Sequence, residues 1–72
     1  MRDRYYLVTS LLQRNQLTAW HVVLPMPEDI SGEVVIEHAH GKRVTLSISQ
    51  ANADDLSDPE LLRRIRKTIV ES

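Results

Sequence analysis

Three histidines are the side chains with the clearest capacity for metal chemistry. His38 and His40 are two residues apart, and this spacing directs both side chains to one face of a β-strand. With His21 they could supply the imidazole nitrogens of a metal site. The strand pairing derived below places His38 on the inner face of a sheet and His40 in a turn, and it provides no carboxylate as a third ligand. We therefore predict no metal and no cofactor.

No group of residues has the pattern of a catalytic centre. Thr45, Ser47 and Ser49 alternate along one strand, as is ordinary for a solvated sheet surface. The sequence has no Gly-x-Ser-x-Gly motif and no phosphate-binding glycine-rich loop, because its only glycines are Gly32 and Gly41. A small sandwich also has little room for a ligand cleft of roughly 300 Å³ or more. We expect a protein that is not an enzyme.

Basic side chains concentrate near the end of the chain and at one turn. The last predicted helix directs Arg63, Arg66 and Lys67 away from its apolar stripe, and Arg64 can pair with Glu60 one turn earlier. An exposed cationic face of this kind can contact phosphates. The candidate nucleic-acid-binding residues are Lys42, Arg43, Arg63, Arg66 and Lys67. The formal net charge of −1 argues against a protein whose main task is to coat nucleic acid.

Length and composition set the limits within which these side chains must be positioned. A chain of 72 residues makes one small domain, which buries only ~60 % of its unfolded surface and gains marginal stability from its own core. Small chains often gain stability from a second copy of themselves. The absence of cysteine excludes disulfides and thiolate metal sites. No apolar run approaches ~18 residues, so we predict no membrane span and expect a cytoplasmic location.

Two segments have apolar residues at helical spacing, residues 4–15 and residues 58–70. Asp3 is a suitable N-cap for the first helix, and Ser57 with Glu60 forms the capping box of the second. The Tyr-Tyr-Leu-Val start of the first segment also has β propensity, but its paired leucines fit alternation poorly. Between them, Ser49 could open one short helical turn. The predicted core positions are Leu7, Val8, Leu11 and Leu12 in the first helix and Leu61, Leu62, Ile65 and Ile69 in the second.

Three segments are predicted as strands: residues 17–24, 33–39 and 43–49. Pro25 ends the first strand, since proline has no N–H to donate to a ladder. In the third strand, apolar residues alternate with polar ones, and this alternation predicts one buried and one solvated face. The inner-face residues are Trp20, Val22, Leu24, Val34, Ile36, Leu46 and Ile48.

The second and third strands form a hairpin whose register follows from these faces. We predict that Val34 lies opposite Ile48, Ile36 opposite Leu46 and His38 opposite Val44. On the outer face the predicted partners of Val35, Glu37 and Ala39 are Ser47, Thr45 and Arg43. A slip of one residue would place apolar side chains opposite polar ones, so it is excluded.

The α-β-β-β-α order predicts an α+β fold, a two-layer sandwich in which a three-stranded antiparallel meander has two helices on one face. This order resembles the double-stranded-RNA-binding domain, whose second helix carries a basic N-terminal cluster for phosphates. The likeness is one of topology. Here the last helix begins Ser57-Asp58-Pro59-Glu60, which is acidic, and the basic residues follow a turn later. The resemblance implies a nucleic-acid-binding module as an alternative function.

The open face of the sheet is the surface best suited to another protein. It is flat and half apolar, and the outer strands leave unpaired N–H and C=O groups. The candidate partner-binding residues are Val23, Val35, Glu37, Ala39, Arg43, Thr45 and Ser47. The leading hypothesis is a small non-enzymatic cytoplasmic protein that acts through protein–protein interaction as a homodimer. An adaptor, regulator or inhibitor of a larger partner fits this description.

Overall fold

The computed structural model describes residues 3–24 and 32–72, and it confirms the predicted α+β class and the order of the main elements. Pro25, predicted to end the first strand, lies outside the described residues. None of the helices in the described ranges has the length and apolar character that crossing a membrane requires. The elements are α1 (Arg4–Arg14), β1 (Trp20–Val22), β2 (Val34–His38), β3 (Arg43–Leu46), α2 (Gln50–Asp55) and α3 (Asp58–Glu71).

Helix α1 begins and ends at residues whose backbone groups are satisfied locally. The carboxylate of Asp3 accepts the N–H of Tyr5 at 2.9 Å, which caps the N-terminus as predicted. At the other end Gln16 has a φ of 59°, and the N–H of Leu17 donates to the carbonyl of Leu12 at 3.0 Å. This is the Schellman arrangement that terminates many helices. Because the chain changes direction in the residues after α1, β1 begins at Trp20 rather than at residue 17.

The sheet has the order β1-β2-β3, with both pairings antiparallel. In the hairpin, Val34 lies opposite Leu46 and Ile36 lies opposite Val44, so the predicted register is wrong by two residues. The turn is tighter than predicted, because the N–H of His38 donates to the carbonyl of Lys42 at 2.7 Å. A shift of two residues keeps every side chain on its predicted face.

Glycine is required at one point of this turn. Gly41 has a φ of 97°, a conformation that residues with a Cβ rarely adopt. Its N–H donates to the carbonyl of His38 at 2.7 Å, which closes a turn through Ala39 and His40. The turn therefore lies one residue earlier than the predicted register required, and His38 faces Lys42 instead of Val44.

The core lies between the inner face of the sheet and the helices. Leu24 is a correction: it is 78 % exposed, because β1 ends at Val22 and the pairing with β2 continues only to the bond from the N–H of Val23 to the carbonyl of Val35. Leu62 is a second correction: it is only half-buried and lies outside the core cluster. Trp20, Val22 and Ile69 pack against the core while partly exposed. The buried residues are Leu7, Val8, Leu11, Leu12, Val34, Ile36, Val44, Leu46, Ile48, Ala53, Leu61 and Ile65.

The two C-terminal helices are capped by serines. The predicted turn after Ser49 is the helix α2, where Ser49 and Asn52 each accept the other's backbone N–H at 3.1 Å. In α3 the hydroxyl of Ser57 accepts the N–H of Glu60 at 3.4 Å. The Glu60 carboxylate binds Arg63 and does not cap the N–H of Ser57. Only the bond to the serine hydroxyl, half of the predicted capping box, forms at α3.

Candidate functional site

The face of the sheet opposite the core carries a row of charged side chains, one from each strand. The register places His21 opposite Glu37 and Glu37 opposite Arg43. The Glu37 carboxylate contacts the Nε2 of His21 at 3.3 Å and accepts a hydrogen bond from the Nε of Arg43 at 3.0 Å. Directly opposed charges on neighbouring strands stabilise a sheet modestly. We call this set, His21, Glu37 and Arg43, the charged row.

The charged row stabilises the ionised form of its central carboxyl. The hydrogen bond from Arg43 holds the pKa of the Glu37 carboxyl below its usual value, and the positive charge of Arg43 acts in the same direction. His21 adds a smaller contribution of the same sign through its charge and its hydrogen bond. Partial desolvation opposes this shift without cancelling it. Glu37 is therefore anionic across the neutral range.

We expect Glu37→Gln to remove part of the acid sensitivity of the fold. A carboxyl with a depressed pKa in the folded state stabilises that state above its unfolded pKa, and this contribution disappears as the pH falls through the folded pKa. The difference in unfolding free energy between the wild type and Glu37→Gln should thus be largest near neutral pH and vanish in acid. Urea unfolding followed by circular dichroism at several pH values measures it.

The control for this prediction is Glu33→Gln, because Glu33 is exposed and forms no ion pair within the described part of the chain. We expect its effect to show little dependence on pH. An equal pH dependence for the two variants would contradict an effect specific to the charged row.

An apolar row lies beside the charged row. Val23 donates its N–H to the carbonyl of Val35 at 2.8 Å, and Val35 lies opposite Thr45. Val23 and Val35 are half-buried, whereas Thr45 is exposed. We call these three residues the apolar row. The two rows together form a patch that spans all three strands and presents both charge signs beside apolar surface.

The other two candidate contact residues lie at the ends of this patch. Ala39 is exposed next to the hairpin turn, where its N–H donates to the carbonyl of Ala19 at 2.8 Å. Ser47 is exposed past the end of β3, and its carbonyl accepts from the Nη1 of Arg64 at 3.4 Å. His21 belongs to the patch but is absent from the predicted contact set. The pairing of β1 with β2 places it opposite Glu37, and the sequence predicts no register for that pair of strands.

The histidines do not converge on a metal site. The rings of His38 and His40 stack with centroids 5.0 Å apart, so these two residues are closer than the predicted division between sheet and turn implies. The Nδ1 of His38 accepts the N–H of His40 at 3.1 Å, and the edge of Trp20 contacts the His38 ring. His21 lies on the opposite face of the sheet. Among the described residues, no group of three or more His, Asp or Glu side chains could hold a metal ion.

The candidate nucleic-acid-binding residues are not gathered on one free surface. Arg63 binds the carboxylate of Glu60, with an Nε–Oε2 distance of 3.2 Å, where the sequence predicts Arg64 as the partner. This contact raises the pKa of Arg63 and lowers that of Glu60. Arg43 belongs to the charged row on the sheet. The remaining candidates are exposed, with Lys42 in the hairpin turn and Arg66 and Lys67 on α3.

A cleft of about 420 Å³ separates the end of β3 from α3. Its volume exceeds the roughly 300 Å³ for which we expected little room in so small a sandwich. One wall is the chain from Leu46 to Ile48. The hydroxyl of Thr68, on the other wall, donates to the carbonyl of Arg64 at 2.9 Å. Its proton is therefore not donated to a side chain that could act as a general base. We call this cleft the β3–α3 groove. The α3 side chains that line it are Glu60, Arg63, Arg64, Lys67, Thr68 and Glu71.

No protein family, no curated protein and no solved structure matches this chain with significance.

Proposed function

We propose that this chain is a non-enzymatic protein that acts by binding another protein, and that it forms a homodimer through the open face of its sheet. One observation supports this most directly. The apolar row of Val23, Val35 and Thr45 lies on a sheet face that no described helix packs against. Two of these side chains are half-buried by their neighbours already, so a partner removes their remaining apolar surface from water at little cost in side-chain entropy.

The charged row supports self-association in particular. A two-fold axis brings the same patch of two copies together, so each side chain meets a complement supplied by the same sequence. The charged row contains both an anionic carboxylate and a cationic guanidinium, and a second copy rotated by half a turn can oppose Glu37 to Arg43. Two antiparallel sheets pack face to face at about 10 Å with their strands within about 30°. The open face of a three-stranded antiparallel sheet is suited to this geometry.

The proposal includes a cellular role as an adaptor, regulator or inhibitor of a larger partner in the cytoplasm. It is supported by the lack of a catalytic arrangement among the described residues and by a composition without cysteine. A standard protein–protein interface buries about 800 Å² on each side, so the proposed dimer uses the whole open face, including Ala39 and Ser47.

Sedimentation equilibrium of the wild type and of Val35→Lys tests the proposal. We expect a concentration-dependent dimer for the wild type and a monomer for Val35→Lys, because a lysine in the centre of the interface leaves a charge buried without a partner. The matched control is Val70→Lys, since Val70 is 81 % exposed on α3 and lies away from the sheet. We expect this control variant to dimerise like the wild type.

Two outcomes would overturn the homodimer. A wild type that is strictly monomeric at high concentration removes it directly. Dissociation by Val70→Lys with an intact Val35→Lys dimer would move the interface to α3. Circular dichroism of each variant separates loss of association from loss of folding.

Binding of nucleic acid is a second candidate function, and one observation favours it. Lys42, Arg66 and Lys67 are exposed and form no ion pair with a carboxylate of the described residues. Their positive charges are thus available to phosphates. Retention on nucleic acid that weakens with salt and with alanine at these positions would support this function over the first.

A further inference from the structure

Strand β3 lies at the edge of the sheet, and its outer side carries backbone groups that pair with no other strand of the described residues. The N–H of His38 donates to Lys42, and in an antiparallel ladder such bonded pairs recur at every second residue. Val44 and Leu46 therefore direct their N–H and C=O groups towards β2. The corresponding groups of Arg43 and Thr45 point away from the sheet. They form the kind of edge that accepts an additional strand.

Helix α3 lies next to the C-terminal end of this edge, where it forms a groove with the chain from Leu46 to Ile48. The Arg64 guanidinium reaches the carbonyl of Ser47 at 3.4 Å, so side chains of α3 and the outer backbone of the strand end face the same space. That space is the β3–α3 groove, with a volume of about 420 Å³. A groove between an edge strand and a helix is the geometry in which protein domains bind extended peptides as an added strand.

The charges in the groove identify the class of occupant. The carboxylate of Glu60 neutralises Arg63. Arg64 and Lys67 form no ion pair with a carboxylate among the described residues, and the remaining acidic side chain on the lining is Glu71. The groove therefore carries an excess of positive charge. A second copy would bring the same cations against these, and like charges across an interface are unfavourable.

We propose that the β3–α3 groove binds an extended acidic segment of a partner protein, which adds to the sheet beside β3 and places carboxylates against Arg64 and Lys67. The outer edge of β3 offers N–H donors and C=O acceptors in alternation, and a peptide backbone matches both. A phosphodiester backbone offers acceptors alone and would leave the carbonyl of Thr45 without a partner. The groove shares Ser47 and strand β3 with the open face, but it uses the backbone edge of β3 and the cations of α3, so the proposal does not depend on the homodimer proposed above.

The test uses a short synthetic peptide in which Glu alternates with Val and Thr, and a second peptide in which Lys replaces each Glu. Titration of the isotope-labelled full chain, followed by amide NMR, reports both affinity and location. We expect the acidic peptide to bind and the basic peptide to fail. We also expect the amides of Arg43 and Thr45 to shift and to become protected from hydrogen exchange, because they gain a strand partner.

Three variants separate charge from backbone pairing. Arg64→Glu combined with Lys67→Glu should weaken binding about tenfold, since two favourable contacts become repulsive. Arg66→Glu is the matched control on the same helix, because Arg66 does not line the groove, and it should bind within about twofold of the wild type. Thr45→Pro removes an outward N–H without removing a ladder bond, and proline is tolerated at such edge positions. It should abolish binding while the charges remain.

Each other result would overturn the proposal. No binding of the acidic peptide to the wild type would mean that the basic residues merely protect the edge from other strands. Binding without protection of the Arg43 and Thr45 amides would show a purely ionic contact. Tighter binding of a single-stranded DNA oligonucleotide than of the peptide, with the same loss in the charge-reversed variant, would assign the groove to nucleic acid. If Thr45→Pro fails to fold, amide protection in the wild type decides the question.

Discussion

Replacement of Ile36 by alanine should remove most of the folding stability of this chain. Ile36 lies in the middle of the central strand and is fully buried between the helices and the sheet. Truncation of a buried isoleucine costs about 2–5 kcal/mol, because the lost burial and the cavity both destabilise the fold. Small domains have a total stability of only about 5–15 kcal/mol, with the smallest at the low end. Urea unfolding followed by circular dichroism measures the difference.

The matched control is Leu24→Ala. The sequence pattern predicts Leu24 as an inner-face residue of the first strand, yet the structure leaves it exposed. Removal of an exposed side chain outside special structural features changes stability by about 0.5 kcal/mol or less. A loss for Leu24→Ala comparable to that of Ile36→Ala would contradict the described end of β1.

The second large effect is expected for Leu61→Ala in α3. Leu61 is fully buried and belongs to the core cluster, where it secures the helix that forms one wall of the β3–α3 groove. We expect a loss of about 2–5 kcal/mol in the free energy of unfolding, since alanine buries less apolar surface and leaves a cavity in the aliphatic core. Thermal unfolding in parallel should show a reduced Tm.

Leu62→Ala is the comparison in the next residue. Leu62 is half-buried and lies on the outer side of α3 among Pro59, Arg66 and Val70. We expect a loss of about 1 kcal/mol or less, because the neighbouring surface already admits water and no closed cavity forms. Similar losses at the two leucines would show that the apolar stripe of α3 is buried over its whole predicted width.

The two proposed contact surfaces meet at β3 and Ser47 but use different groups of the sheet. The homodimer uses side chains that stand on the open face, above all Val35. The acidic segment uses the backbone edge of β3 together with cations of α3. Val35→Lys and the Arg64→Glu, Lys67→Glu pair thus affect different measurements, and each proposal can fail while the other holds.

Local pattern located the main helices and strands and assigned the side chains of the hairpin to the correct faces of the sheet. Apolar spacing in residues 4–15 and 58–70 identifies the two long helices, and Asp3, Ser49 and Ser57 are caps in the structure. Alternation over residues 43–49 assigns each side chain of β3 to its face. These signals are local because a helical or pleated backbone repeats with a short period. The choice of candidate partner-binding residues, Val23, Val35, Glu37, Ala39, Arg43, Thr45 and Ser47, follows from these faces.

The register of the hairpin cannot be predicted from local pattern alone. A register shift of two residues leaves all faces unchanged, so alternation gives no preference between the predicted pairing and the observed one. The backbone of the turn decided it, through the bond from His38 to Lys42 and the positive φ of Gly41. The partner of Glu60 also depends on the tertiary structure. Glu60 pairs with Arg63 instead of Arg64 because of the side of α3 that faces the strand edge.

The sequence by itself determined the fold class, the layers and the surfaces, because periodic burial of apolar side chains needs no knowledge of distant residues. The tertiary structure decided which residues meet across those surfaces. The charged row joins His21 to Glu37 and Arg43 from three strands, and the β3–α3 groove joins the chain around Ser47 to Arg64 and Lys67. These contacts depend on register, turn geometry and helix placement, which arise from packing between elements far apart in the chain.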